Sequence, residues 1–290
     1  MDQPFAIIRT RSKEQAMDWS LVLFSQGIES TIEGDAERGG WCLVLDRRDC
    51  QRALQTIRQY KTENRLTVWR QKLPWSGLVF DWRAVGWFLL LIIIFAMGEG
   101  RYPDLARAGM MDRQAVAGGQ WWRLFTAVTL HRDLSHLASN VTSGIVLLGL
   151  AMGSFGSGIA LLAAYLAGVA GNLAGLVFLS GVHRSLGASG MIFGALGLLS
   201  GQTAGMLGKG VSARQLTLRG LLSGFLFLVL FGLNPNSDVL AHVGGFVTGV
   251  LLGGLLSFWP NHFAENPMLN RVAELICAGL MILTWLLARP

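Results

Sequence analysis

Long runs without a charged residue dominate the last three-quarters of the chain. Asp, Glu, Lys and Arg are missing from residues 134–183, 185–208, 220–237 and 239–264. About 20 consecutive apolar residues suffice for a helix to cross the hydrocarbon layer of a bilayer. The pattern therefore predicts membrane-spanning helices. Seven apolar segments can be read, at about 84–98, 135–153, 157–180, 189–207, 219–233, 239–259 and 271–288. The first and fifth are short, with room to begin earlier.

Residues 1–64 follow another pattern. Phe5-Ala6-Ile7-Ile8 reads as a strand. Ser12 to Gln26 places Ala16, Trp19 and Leu23 at helical spacing, with Ser12 as a cap. Ile28 to Ile32 alternates, and Trp41 to Leu45 is a second short apolar run. Asp46 or Asp49 is placed to cap a last helix through Gln59, with Leu54 and Ile57 inward. This β-α-β-β-α order suggests half of a ferredoxin-like sandwich. The expected domains are a small α/β domain at 1–64, a linker at 65–83, a core at 84–259, and a loop with an extra transmembrane helix at 260–290. The expected fold class is an all-α polytopic membrane helix bundle, with a six-helix core and a seventh helix, joined to that small α/β domain.

Charge supports this division. Residues 1–75 hold 22 of the 42 charged residues. Only 14% of the chain is charged, against about 25% in ordinary soluble domains. The net charge of +6 reads as positive flanks facing anionic lipid headgroups. Nucleic acid is not an expected partner, because no basic run is interleaved with exposed aromatics. Cys42, Cys50 and Cys277 form no paired motif, which suits a reducing compartment. Met1 to Thr10 does not read as a signal peptide, since its apolar run is short and no cleavage site follows. No metal site is expected: the histidines lack carboxylates at ligand spacing and HExxH is missing. No cofactor is implied.

Orientation follows from the basic residues. Arg65, Arg70 and Lys72 precede the first segment, beside Trp69, Trp75 and Trp82, and Lys209, Arg214 and Arg219 follow the fourth. By parity both groups lie on one side, and the positive-inside rule makes that side the cytoplasm. Arg101, Arg107 and Arg113 oppose this assignment, but they are mixed with Glu99, Asp104 and Asp112. The expected location is the cell inner membrane, multi-pass, with a cytoplasmic N-terminus. Segments two, four and six then begin outside. His136 and Asn140 open the second, Ser189 the fourth and His242 the sixth. Polar groups are costly in lipid, so their gathering at one end of alternate helices points to a single outer cavity. Gly190, Gly194, Gly197 and Gly201 on segment four, and Gly245, Gly249 and Gly253 on segment six, would let the two backbones touch. Ser189 would then meet His242 as a nucleophile meets its base.

With these motifs in view, the chain resembles the rhomboid intramembrane serine proteases. The matching residues are Gly187-x-Ser189-Gly190, Ala241-His242-x-x-Gly245-x-x-x-Gly249, His136-x-x-x-Asn140 and Trp122-Arg123, in the family's order. The N-terminal domain is similar to that of bacterial members. The resemblance implies a rhomboid-like bundle. It implies that Ser189 attacks the scissile carbonyl and His242 acts as base, then acid. It implies that His136, Asn140 and the Ser189 N–H hold the oxyanion. The supporting residues are Phe193, Trp122, Arg123, Gly187, Gly190, Gly245 and Gly249. Phe193 stands where the family often has tyrosine. The implied partners are single-pass transmembrane substrates in a lipid bilayer, cut near the outer face; the oligomeric state is open.

Other polar residues have plainer readings. Asp238 or Ser237 caps the sixth segment, and orienting His242 is the lesser alternative for Asp238. His131 supports the outer loop, His183 and His262 lie in loops, and Asn172 bonds between helices. Trp121-Trp122-Arg123 marks the long stretch Glu99 to Arg132 as interfacial. Two other functions compete with proteolysis. A catalytically silent relative that binds and escorts membrane proteins would normally lack the serine or histidine. A transporter would show charged or broken helices at midplane.

Overall fold

The computed structural model describes residues 4–35, 40–63, 79–207, 211–234, 237–259 and 263–288. The chain divides into two compact units, Met1–Pro74 and Trp75–Pro290. In the first unit, β1 (Phe5–Thr10) and β2 (Thr31–Asp35) both pair antiparallel with a central β3 (Gly40–Asp46). Helix α1 (Lys13–Ser25) begins where the Ser12 hydroxyl accepts the Gln15 N–H. Asp46 caps a 3₁₀ turn that leads into α2 (Cys50–Glu63). Ala16, Trp19 and Leu23 from α1 pack with Ala53 and Ile57 from α2 against Leu43 and Leu45.

Two expectations for this unit need correction. Leu54 is 41% exposed, and Ala53 takes the inward position because it lies four residues, one helical turn, before Ile57. Ile28 is buried ahead of β2 and is not part of it. Most of the expected linker falls outside the described residues.

The second unit is helical. It contains α3 (Arg83–Glu99), short helices α4 (Leu105–Gly109), α5 (Arg113–Ala117) and α6 (Arg123–Thr126), and then α7 (Leu134–Phe155), α8 (Ser157–Phe178), α9 (Ser189–Gly201), α10 (Val211–Gly232), α11 (Val239–Leu256) and α12 (Pro267–Ala288). Five of these, α7, α8, α10, α11 and α12, are long and apolar enough to cross a membrane. The fifth segment begins at Val211, earlier than the charge-free run suggested. The fourth is shorter than expected: α9 ends at Gly201, and at 13 residues it rises only about 20 Å. It is the central helix, packed by α7, α8, α10 and α11, with every residue buried except Ser189 and Leu199. Surrounded by protein, it need not match the width of the bilayer.

Glycine sets the separation of α9 and α11. A Cβ at Gly245 would strike the Gly190 carbonyl, one at Gly249 the Gly194 carbonyl, and one at Gly197 the Phe246 carbonyl. The two backbones therefore touch along three turns, as small residues permit in lipid. The seventh helix, α12, docks on α8 through polar groups. The Asn270 side-chain carbonyl accepts the Gly158 and Ile159 N–H groups at 3.0 and 3.2 Å, capping α8 from another helix. Ser157 donates to Glu274 and accepts from Arg83, each at 2.7 Å.

The glycine contact predicts a selective loss. Gly249→Leu should lower the thermal unfolding temperature in detergent by many degrees, because backbone cannot yield as a flexible side chain can. Gly279→Leu, where a side chain would meet nothing within 4 Å, should leave it unchanged.

Candidate active site

The α9–α11 contact brings Ser189 and His242 together. Ser189 Oγ lies 2.7 Å from His242 Nε2. On the other side of the ring, Nδ1 lies 2.7 Å from the Gly232 carbonyl. A carbonyl only accepts, so Nδ1 carries the proton and Nε2 is left to accept from the serine hydroxyl. Phe193, one turn beyond Ser189, packs on the imidazole with ring centroids 4.6 Å apart. His242 is thus held on one edge by the end of α10 and on one face by α9.

Ser189 is the first residue of α9, and no side chain caps that helix. The other two helices that begin at this face are capped. Asp133 accepts the His136 N–H at 2.8 Å for α7, and Asp238 accepts the Ala241 N–H at 3.0 Å for α11. No side chain among the described residues competes for the first amide of α9, at the partly exposed Ser189, and the helix dipole favours negative charge there. Gly187 precedes them with φ +142° and donates its N–H to Ala127 at 2.9 Å. A Cβ on Gly187 would fall 2.7 Å from His136 Cε1 and 2.9 Å from Nε2. Glycine is what lets the His136 ring close over this turn.

Asn140 is buried, and its amide donates to the His136 carbonyl at 2.7 Å, which leaves one amide hydrogen uncommitted. His136, Asn140, Ser189 and His242 all line one open cavity of about 950 Å³, walled by α7, α9, α10, α11 and the outer loops. It reaches Leu147 on α7, about 16 Å along that helix from His136.

The outer loops brace this cavity. Arg123 donates to the carbonyls of Arg107 and Met110 at 3.0 and 2.9 Å and to the Gln120 side chain, so it fixes the turn that puts Met110 in the cavity wall. Trp122 is half-buried and meets Trp121 edge to face. Asn172 donates to the Leu124 carbonyl at 2.7 Å, tying α8 to α6. This is the bond between helices expected of it. Arg184 of the two-residue strand β5 (Arg184–Ser185) holds Asp112 of β4 (Met111–Asp112) at 2.7 Å, and this hydrogen bond keeps the Asp112 carboxyl below its usual range. Asp238 spends its second oxygen on His183, 3.1 Å away. It is thus the cap expected of it, and its link to an imidazole is to His183. His262 lies outside the described residues. Among those described, no cluster of His, Cys, Asp or Glu suited to a metal ion occurs.

This arrangement has relatives. Residues 118–258 match the Rhomboid domain. The putative rhomboid protease YdcA of Bacillus subtilis is 33% identical over 143 residues, covering 48% of this chain and 69% of that protein. The chain belongs to the rhomboid family. Rhomboid protease GluP of Bacillus subtilis is 34% identical over 209 residues, 70% of this chain and 38% of GluP. RHOMBOID-like protein 5 of Arabidopsis thaliana is 31% identical over 170 residues, 57% of this chain and 53% of the relative. The chain thus spans from under two-fifths to about half the length of these last two. It is a multi-pass membrane protein of an intramembrane protease family.

Two contacts were invisible in the sequence. The acceptor for His242 Nδ1 is a backbone carbonyl, which carries no residue signature. The His183–Asp238 pair joins residues 55 apart through loop geometry alone.

His131 generates a prediction. It is 6% exposed, its ring lies 5.3 Å from that of His136, and neither nitrogen has a partner among the described residues. Burial, then the neighbouring His136, pushes its pKa down to about 4 from 6.5. The unfolded chain therefore takes up this proton first as pH falls. The stability tied to a neutral His131 is complete above pH 6.5 and is lost progressively toward pH 4, by about 2 kcal/mol at pH 5. Thermal unfolding of the wild type should drop between pH 7 and 5, and His131→Leu should flatten that dependence.

Proposed function

We propose that this chain is a serine endopeptidase that cuts single-pass transmembrane proteins near the outer membrane face. The observation that supports this most directly is the 2.7 Å approach of Ser189 Oγ to His242 Nε2 inside a cavity. In this reading the serine proton passes to Nε2 as Oγ bonds to the scissile carbonyl carbon. The carbonyl oxygen takes the negative charge. The open N–H of Ser189, the His136 ring and the spare Asn140 amide hydrogen are its donors. Collapse of the intermediate expels the amine, which takes the proton back from His242. Water entering from outside then repeats the sequence on the acyl-serine. The Gly232 carbonyl fills the place that a carboxylate holds in a triad. It fixes the tautomer and orientation of the imidazole without adding a full charge, so the reaction runs on a dyad.

A positioned base contributes about 10²–10⁴-fold, and each oxyanion donor about 10²–10³-fold. The basic flanks support an inner-membrane protein with its N-terminal unit in the cytoplasm. That unit holds none of the reacting groups, which makes its role separable from the chemistry.

The reading is tested with purified protein and a model transmembrane substrate. Ser189→Ala and His242→Ala should give no product while melting like the wild type. Asn140→Ala should lower kcat by about 10²-fold. Equal cleavage by wild type and Ser189→Ala would remove the serine from its role. A chain lacking residues 1–64 should still cleave in detergent, as product gels will register.

A further inference from the structure

Three buried imidazole nitrogens beside the cavity have no partner among the described residues: Nδ1 and Nε2 of His131, and Nδ1 of His136. His131 stands just ahead of α7, is 6% exposed, and has its ring centroid 5.3 Å from that of His136. Buried polar atoms left unpaired are costly, so each one calls for an explanation. The neighbouring carboxylate does not supply it. Asp133 can only accept, and it already takes the His136 backbone N–H, the Ser135 hydroxyl and the Arg132 guanidinium.

The demand on His136 comes from its other edge. Its Cε1 and Nε2 close over the Gly187 turn, and the residue lines the cavity. To donate to an oxyanion there, Nε2 must carry the single proton of a neutral imidazole, so Nδ1 must be an acceptor. His136 therefore has a buried acceptor that lacks a donor. A neutral His131 has an N–H that lacks an acceptor. Each ring holds what the other needs.

We infer that His131 is a positioning residue for oxyanion binding: its N–H donates to His136 Nδ1 and holds His136 in the tautomer whose Nε2–H serves the cavity. This rests on the Ser189–His242 reading and adds a residue behind the oxyanion site. The separation fits. An N–H···N bond of ~2.9 Å, with about 1.1 Å from each nitrogen to its ring centre, sets two imidazole centroids ~5 Å apart. The rings are tilted by 63°. Such a bond tolerates that tilt, because it needs the nitrogens in line and not the planes parallel. Lining them up takes a turn about the broad χ2 torsion of histidine. The two histidines of the site need opposite tautomers. His242 obtains its own from an acceptor, the Gly232 carbonyl, and His136 obtains its own from a donor, His131. His131 touches no reacting atom and acts through His136.

The test compares full-chain variants in detergent at about pH 8, where an ordinary imidazole is neutral. The probe is a synthetic single-pass peptide flanked by fluorophore and quencher. His131→Leu keeps an apolar side chain in the pocket and should lower kcat about tenfold, with KM within about twofold of wild type. His131→Gln, which restores an N–H donor, should recover most of that loss. In a His136→Ala background, His131→Leu should cost nothing further, because no ring is left to orient. A residue that merely supports the loop would lower kcat equally in both backgrounds. In nitrogen NMR of isotope-labelled histidine, the Nε2–H tautomer of His136 should predominate in the wild type and give way to a mixture in His131→Leu. An unchanged kcat in His131→Leu, an equal loss in the His136→Ala background, or a His136 tautomer that does not respond overturns the inference. Labelling by a small fluorophosphonate, present in wild type and missing in Ser189→Ala, tests the serine separately. If wild type labels while His131→Leu cleaves normally, only this inference fails; if wild type does not label, the proposed chemistry fails.

Discussion

The touching backbones of α9 and α11 are the constraint on which the rest depends. A serine hydroxyl and an imidazole on separate helices meet at 2.7 Å only because no side chain stands between Gly190 and Gly245 or between Gly194 and Gly249. In water the hydrophobic effect would press such helices together. In lipid that force is missing, and close van der Waals packing with backbone contact replaces it. The glycines therefore do two things with one feature. They hold the bundle's centre together, and they set a distance that chemistry needs to within a few tenths of an ångström.

Around this contact the protein leaves one helix end unfinished. Asp133 and Asp238 complete the N-termini of α7 and α11, whereas α9 opens without a cap. Placing bare amides at the one start that carries Ser189 keeps an anion-favouring site available, at a cost in local stability that dense packing of α9 offsets. His242 is held by a carbonyl, an aromatic face and the serine, so its orientation needs no buried charge. That economy suits a membrane interior, where an extra carboxylate would itself need a partner.

Much of this was legible in the sequence. Apolar segments located every long helix of the second unit, and the helical spacing of Ala16, Trp19 and Leu23 found the buried face of α1. The pairing of Ser189 with His242 followed from parity and small-residue spacing. Helix ends were harder. The charge pattern could not show that α9 stops at Gly201, because the residues up to 208 are uncharged as well. It missed the start of α10 at Val211 for the opposite reason, since Arg214 and Arg219 lie within the helix. Leu54 was misplaced because Ala53 carries too weak an apolar signal to mark the inward face. The Gly232 carbonyl left no trace at all.

The cap on α8 has a consequence for how the molecule is made. Its first amides are satisfied by Asn270, a residue synthesised 112 positions later. Until α12 emerges from the ribosome and enters the bilayer, the start of α8 has no such acceptor. Closure of the bundle around α8 therefore waits for α12, and a nascent chain stopped before Asn270 would carry that unfinished helix start.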